Sequence, residues 1–346
     1  WSQTSAPTGS WAAVATSGDG VKMAAARSGI IYASTNSGAN WTPTVAPAKS
    51  WSTLASSADG SVLLGAAPFG GVYTSTNSGS TWQSNAIPGN AQWDTAAISA
   101  NGSTLIVGGT VWGPVYYSTN MGASWRSNGI PTGYWTSVAC SADGSKLAAA
   151  WSGTVYVSTN FGATWTNYTT SGGSLLACSA DGSRLLLCSP GLYISTNWGA
   201  TTTPRTLPTT SPSLLFAGSA GFERLLILLG GNLYISTNTG SSWVATFAPA
   251  RTWKTMALSA TGTELVAASS DGIYSWQPPV LNVTNVAGNL VLSWSANGTP
   301  FDLQLNADLT TTNWVGLTNM ATVTNSENQV VISPSNNAGF FRLMSQ

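Results

Sequence analysis

An eight-residue phrase, Ser-Thr-Asn-x-Gly-x-x-Trp, recurs in six near-copies beginning at Ser34, Ser75, Ser118, Ser158, Ser195 and Ser236, which lie 37 to 43 residues apart. A period of that length marks a repeat architecture, because one such unit buries no core alone and must stack on its neighbours. The remainder of each unit says what it is. The fourth reads Trp135-Thr-Ser-Val-Ala-Cys, Ser-Ala-Asp143-Gly144, Ser-Lys-Leu-Ala-Ala-Ala, Trp151-Ser-Gly153, Thr-Val-Tyr156-Val, and then the Ser158 phrase ending in Trp165. Short β-type runs are separated by Asp-Gly, by a Gly-containing loop and by the phrase itself. Asp-Gly between such runs is a hairpin signal, since both residues tolerate positive φ. Each unit therefore reads as a four-stranded antiparallel meander, strands A to D.

The opening of strand A recurs at Trp11, Trp51, Trp93, Trp135, Ser213 and Trp253, with a degenerate copy near Gly173. That makes seven units for six phrases. The last unit runs through Asp271-Gly-Ile-Tyr274-Ser-Trp276 and stops at Gln277-Pro278-Pro279 without a strand D. The missing piece lies at the other terminus: Trp1-Ser-Gln-Thr-Ser-Ala-Pro7 stands ten residues before Trp11, as Trp41-Thr-Pro-Thr-Val-Ala-Pro47 stands before Trp51. The expected fold is all-β, a seven-bladed β-propeller over residues 1–277 whose last blade takes its strand D from the N-terminus. Closure of that kind leaves only short, protected edges. Residues 280–346 lack the phrase and the period. They carry strand patterns at Leu290–Trp294, Phe301–Leu305, Gln329–Ile332 and Phe340–Leu343, and read as a separate small β-sandwich.

Charge narrows the function classes. Only 22 residues are ionic, His is absent and the formal net charge is zero. With no basic run to release counterions, nucleic acid and anionic lipid are poor partners. No run approaches the ~18 apolar residues of a membrane helix. A Ser/Thr/Asn-rich surface of zero net charge also lacks the repulsion that keeps copies apart, which fits a secreted or cell-surface protein able to self-associate. The first residue, Trp1, reads as that of a processed form. Cys140, Cys178 and Cys188 leave at least one thiol unpaired and build no disulfide framework, so they read as buried filler.

The phrase resembles the Asp-box (BNR) repeat, Ser-x-Asp-x-Gly-x-Thr-Trp, of the sialidase-like propellers, and the likeness spans residues 1 to 276. The resemblance implies a turn between strands C and D in which Ser and Asp hydrogen-bond the backbone, Gly takes positive φ and Trp packs between blades. Every copy here has Asn instead: Asn36, Asn77, Asn120, Asn160, Asn197 and Asn238. Asn accepts the same backbone bonds without the charge, so these residues read as structural turn elements. The fifth copy has Thr202 in place of Trp, and looser packing between blades five and six is expected from it. A further resemblance is to Asp-box propellers that help assemble photosynthetic complexes, although the chain lacks their Arg patch. The C-terminal segment, with its "LSW … W … FFRL" pattern, resembles modules on secreted proteins of Verrucomicrobia-like bacteria, which implies a bacterial source.

Sialidase chemistry needs an arginine triad, a Tyr/Glu nucleophile pair and an acidic proton donor, and retaining glycosidases need two carboxyl groups about 5 Å apart. Asp19, Asp59, Asp143 and Asp181 all fall at A–B turns, Glu223 and Glu264 occupy the same region, and Lys22, Lys146, Arg184 and Arg224 share one position at the start of strand B. Only Arg27, Asp94 and Asp271, with Lys49 and Arg251, are placed near the opposite mouth. No catalytic residue, metal site or cofactor is expected. The candidate binding face gathers Trp11, Trp51, Trp93, Trp135 and Trp253 from the strand A openings, Phe69, Trp112 and Trp151 from the B–C loops, and Tyr134. Regular recurrence makes the first five read as inter-blade packing, whereas Trp112 and Trp151 sit beside Gly in loops and read as exposed contacts. Three functions follow in order: a non-catalytic structural or interaction propeller, of the kind that serves as one subunit of an extracellular assembly, with a protein partner (itself or another surface protein); a lectin-like glycan binder; and a sialidase-like glycoside hydrolase.

Overall fold

β-Strands are the regular elements among the described residues of the computed structural model, which are 1–345 apart from 89–90, 128, 171–173, 189–190, 210–213, 247, 277–280, 296–300, 309, 318–320, 325–326 and 333–338. The chain divides into two compact units: Gln3–Thr246 with Ala250–Ser275, and Trp1–Ser2 with Phe247–Pro249 and Trp276–Gln346. The strand openings expected at Gly173 and Ser213, and the break at Pro278-Pro279, lie outside the described residues.

The repeats form successive meanders. The first sheet orders Ala13–Thr16, Met23–Arg27, Ile30–Ser34 and Thr42–Pro43, and the fourth orders Ser137–Cys140, Leu147–Trp151, Thr154–Ser158 and Thr166–Thr169. The third has three strands, with Tyr117 and Arg126 bridging where a fourth would lie. In the last sheet the order is Trp253–Leu258, Leu265–Ser269, Ile273–Trp276 and then Ser2–Gln3. Just beyond that strand the Thr4 N–H donates to Ile273 O at 2.9 Å.

Apolar patterning explains where the core lies. Strand B is buried along its whole length in several sheets, for example Leu63–Ala67 and Leu225–Leu229. A strand covered on both faces needs small or branched apolar residues throughout, which is what Leu-Leu-Gly-Ala-Ala and Leu-Leu-Ile-Leu-Leu supply. The cores sit between neighbouring sheets. Ala13, Ala24 and Ile31 of the first pack on Trp51, Leu54 and Leu63 of the second. Val266, Ala268 and Ile273 of the last sheet pack on Trp11, Val14 and Met23 of the first.

A chain of backbone hydrogen bonds links the A–B turns across the sheets. Gly18 N–H donates to Ala58 O, Ala58 to Ala100, Ala100 to Ala142, Ala142 to Ala180, Ala180 to Ala220, Ala220 to Ala260, and Ala260 back to Gly18, all at 2.6–2.9 Å. The cations that recur at the start of strand B reinforce it. Lys146 Nζ donates to Gly182 O at 2.7 Å and Arg184 Nη1 to Gly221 O at 2.8 Å, each reaching the turn of the next sheet.

At the Asn phrases, Ser34 Oγ accepts from Gly38 N–H and donates to Asn36 Oδ1, each at 3.0 Å, while Asn36 Oδ1 accepts from Asn40 N–H at 2.8 Å. The same set recurs in the other five copies. The residue between Asn and Gly also takes positive φ, from Ser37 at 55° to Thr239 at 58°, so two consecutive left-handed residues make the turn. The expectation from Thr202 is corrected. Its Trp counterparts pack on the preceding interface, as Trp82 does between sheets one and two, so the vacancy falls between sheets four and five. Trp198, four residues earlier, fills that place: it is buried in the core shared by those sheets and donates Nε1–H to Gly182 O at 2.6 Å.

The smaller unit holds two sheets. One orders Asn282–Val286, Asn289–Ser295, Glu327–Ile332 and Thr322–Thr324; the other orders Val315–Gly316, Phe301–Asn306 and Phe340–Ser345. Leu292, Trp294, Leu303 and Val330 form their common core.

Candidate binding surface

The tryptophans that open strand A do not form an exposed ring. Trp11, Trp51, Trp93, Trp135 and Trp253 are at most 5% exposed, which removes all five from the candidate face. The physical reason is a repeated aromatic pair. Each meets a Tyr of strand C in its own sheet edge-to-face: Trp11 with Tyr32, Trp51 with Tyr73, Trp93 with Tyr116, Trp135 with Tyr156 and Trp253 with Tyr274, at centroid separations of 5.4–6.0 Å. Such pairs add about 0.5–1.5 kcal/mol beyond the area they bury.

The irregular aromatics behave differently. Phe69 and Trp112 are 60% and 61% exposed, Tyr134 is 41% exposed and Trp151 is half-buried. Trp112 lies 5.2 Å from Tyr134 and 6.3 Å from Trp151, Tyr134 lies 6.4 Å from Trp151, and Trp151 rests on buried Trp135 at 6.1 Å. Three partly exposed rings thus stand on one buried ring. Phe69 belongs to a different hairpin, where its N–H donates to Ala91 O at 3.1 Å.

Backbone geometry holds these rings out. B–C turns elsewhere use Ser28-Gly29, Ser152-Gly153 and Gly230-Gly231 for their left-handed positions. At Phe69 and Trp112 a bulky aromatic takes that role, with φ of 54° and 42°. Left-handed backbone at a bulky residue costs free energy on the order of 1 kcal/mol and persists where the surroundings fix it. The fixing is visible at Trp112: Gly113 and Gly133 exchange backbone hydrogen bonds at 2.9 Å. Neither glycine admits a side chain, since a Cβ at Gly113 would lie 2.6 Å from Gly109 Cα and one at Gly133 would lie 2.7 Å from Trp151 Cε3.

The charges expected at the same mouth are engaged with neighbours of their own. Asp94 Oδ2 accepts from Gln92 Nε2 at 2.8 Å and from Thr110 Oγ1 at 2.6 Å. Lys49 Nζ stands 6.0 Å from the Tyr73 ring, and the Arg27 guanidinium donates to Pro7 O and Thr8 O. Asp271 accepts from Ser269 Oγ at 2.5 Å, from Arg251 Nε at 2.8 Å and from Tyr274 OH at 3.3 Å; the Ser269 bond first, and Arg251 after it, hold its carboxyl below the usual range. A carboxylate so held is a poor proton donor. The turn acids are consumed likewise: Ser57 and Ser61 hold Asp59 to about 2, and Ser179 and Ser183 do the same for Asp181. Burial raises the thiols, Cys178 and Cys188 to about 12. Among the described residues no cluster of three metal-ligating side chains occurs.

Sequence reasoning missed the paired left-handed residues of the Asn turn and the backbone chain across the A–B turns. Its signal was present as the small residue at Gly18, Ala58, Ala100, Ala142, Ala180, Ala220 and Ala260, one place after a Ser in every unit.

No protein-family model matches the chain, and no curated protein matches it. Solved structures do. YCF48 from Cyanidioschyzon merolae superposes with a TM-score of 0.61 at 15% identity, covering 80% of this chain and 98% of that one. A structure of YCF48 bound to D1 peptide gives 0.60 at 14% identity, covering 80% and 96%. Likeness at that identity establishes a shared fold, and the fold is a β-propeller.

Proposed function

We propose that residues 1–277 form a seven-bladed β-propeller closed by its own N-terminal strand, similar to the Asp-box propellers, and that it serves without catalysis as a scaffold recognising a protein segment outside the cell. Closure is supported by the sheet order that sets Ser2–Gln3 beside Ile273–Trp276, and by the backbone chain that returns from Ala260 to Gly18 after seven turns. The absence of catalysis is supported by the aspartates Asp59, Asp181 and Asp271, whose bonds to Ser57, Ser179 and Ser269 hold their carboxyls below the usual range, opposite to the raised affinity for protons an acid catalyst needs. The low charge and the zero net charge support the proposed location.

One observation carries the binding role: Trp112, Tyr134 and Trp151 present adjoining rings, with Trp112 held outward in a left-handed conformation. Amphipathic rings on a fixed backbone lose little entropy on binding, which is why Trp and Tyr dominate binding hot spots. YCF48, with the same fold, has been solved with a peptide bound, so the fold accommodates a ligand of that class.

The test presents a displayed library of random peptides and a glycan array to the wild-type protein and to the Trp112→Ala and Trp151→Ala variants. Peptides should be enriched on the wild type and bind each variant at least tenfold more weakly, the size expected from losing one aromatic hot spot of about 1.4–2 kcal/mol. Sugar binding lost in the same variants would replace this reading with the lectin. Turnover of a fluorogenic glycoside, abolished by Asp271→Asn, would replace it with the hydrolase.

A further inference from the structure

The strands exposed at sheet edges are guarded in nearly every case. In the larger unit the outer strands Thr42–Pro43, Gln83–Ser84 and Val244–Ala245 are two residues long, and Thr203–Arg205 carries a Pro and an Arg. Thr166–Thr169 is longer, but its Tyr168 packs into the core shared with the next sheet. Shortness, Pro and charge are the usual devices that stop an edge from pairing with another chain. In the smaller unit, Val315–Gly316 and Thr322–Thr324 are short. Phe340–Ser345 carries Arg342, which lies 4.0 Å from the Trp314 ring and donates to Gln304 Oε1 at 2.9 Å.

Asn282–Val286 has none of these guards. It is the outermost strand of its four-stranded sheet, all five residues are exposed, and Val283 and Val286 are 56% and 55% exposed. Its sequence, Asn-Val-Thr-Asn-Val, holds no charge and no Pro. Pairing with Asn289–Ser295 runs from Asn282↔Ser293 to Val286↔Asn289 without a bulge, so the free edge stays regular. Among the described residues no strand pairs with its other side.

We propose that Asn282–Val286 is a self-association edge, which pairs antiparallel with the same strand of a second copy of this chain and joins two four-stranded sheets into one of eight. A regular row of unpaired backbone N–H and C=O groups selects an extended strand as its occupant. Three features select a second copy. Centred on Thr284, antiparallel pairing sets Thr284 against Thr284, Val283 against Asn285 and Asn282 against Val286, so no charges meet and the central pair is a favourable Thr–Thr contact. A contact in which one patch meets itself closes as a two-fold dimer. The chain's 11 cations and 11 anions leave no net repulsion between copies. Five-residue pairing buries less than the ~1,200 Å² of a stable interface, so the dimer is weak, with a Kd in the micromolar range or above.

Sedimentation equilibrium of the full chain from micromolar to millimolar concentration tests this. The wild-type mass should rise from one chain toward two. The Thr284→Lys variant should stay at one chain throughout, with an unchanged circular dichroism spectrum and thermal midpoint. Opposed residues in antiparallel strands have Cα atoms about 4.5–5.5 Å apart, within disulfide range. The Thr284→Cys variant should therefore give a covalent dimer with oxidised glutathione, the two thiols losing two protons and two electrons as the oxidant becomes two glutathiones, while the wild type does not. A wild-type mass of one chain at every concentration would overturn the proposal, as would a dimer that survives Thr284→Lys. Growth beyond two chains would show open head-to-tail pairing, and dissociation by Trp112→Ala would move the contact to the aromatic surface; either result also overturns it.

Discussion

At the scale of single residues, one polar side chain does different work by position. Asn77 Oδ1 accepts from Thr81 N–H at 2.8 Å and its Nδ2 donates to Thr81 Oγ1 at 2.8 Å. Asn77→Ala should lower stability by about 1 kcal/mol in denaturant unfolding, the net worth of a hydrogen-bonded turn side chain, and Asn77→Asp should stay within about 0.5 kcal/mol. The acids of the A–B turns set the acid limit. Folded Asp59 and Asp181 titrate near 2, against 3.8 when unperturbed, so the stability they contribute is present above about 3.8 and lost as pH falls through about 2. The thermal midpoint should hold from neutral pH to about 4 and then drop, and it should drop less in the Asp59→Asn/Asp181→Asn double variant. The third sheet already carries Asn101 at this position, accepting from Ser99 Oγ at 2.8 Å and Ser103 N–H at 3.0 Å. A neutral acceptor therefore suffices there.

At the scale of the element, the tryptophans separate into two populations. Trp135 is fully buried between the third and fourth sheets, and Trp135→Ala should cost about 3–5 kcal/mol through lost contacts and a cavity. Trp112→Ala should change stability little, because the ring is exposed and Ala keeps the Cβ on which the left-handed backbone strain acts; chemical denaturation of both variants checks the contrast. Recurrence at a fixed offset in five of the seven units made the first kind legible in the sequence, since a position packed between neighbouring sheets repeats that regularly. Trp112 and Trp151 stood out by breaking that regularity beside Gly113 and Gly153. What the sequence concealed depends on the approach of distant segments. Gly109, Gly113 and Gly133 look like loose loop residues until their backbones meet. Thr202 looked like a defect, and Trp198 hid the remedy because a buried Trp at a left-handed position has no local signature. The unguarded Asn282–Val286 edge was invisible for a related reason: edge status is a property of sheet order, which local patterning does not fix.

At the scale of the whole molecule, the proposed closure gives each interface its strength and lets the aromatic surface stay fixed without a ligand. The N-terminal segment contributes more than its length implies. Thr4 N–H bonds Ile273 O at 2.9 Å, Ala6 is buried with Trp11 and Ile273 in one core, Arg27 caps Pro7 and Thr8, and Gly9 N–H reaches Asp271 O at 3.3 Å. These contacts hold the N-terminal segment on the last sheet at Thr4 and Gly9 and on the first at Pro7 and Thr8. The decisive measurement is the thermal midpoint of a chain lacking residues 1–9, with and without an added peptide of those nine residues. The closed-ring account predicts a fall of roughly 10 °C or more, from several kcal/mol at about 2–4 °C per kcal/mol, and partial recovery with the peptide. A midpoint within a degree or two of the full chain would contradict it.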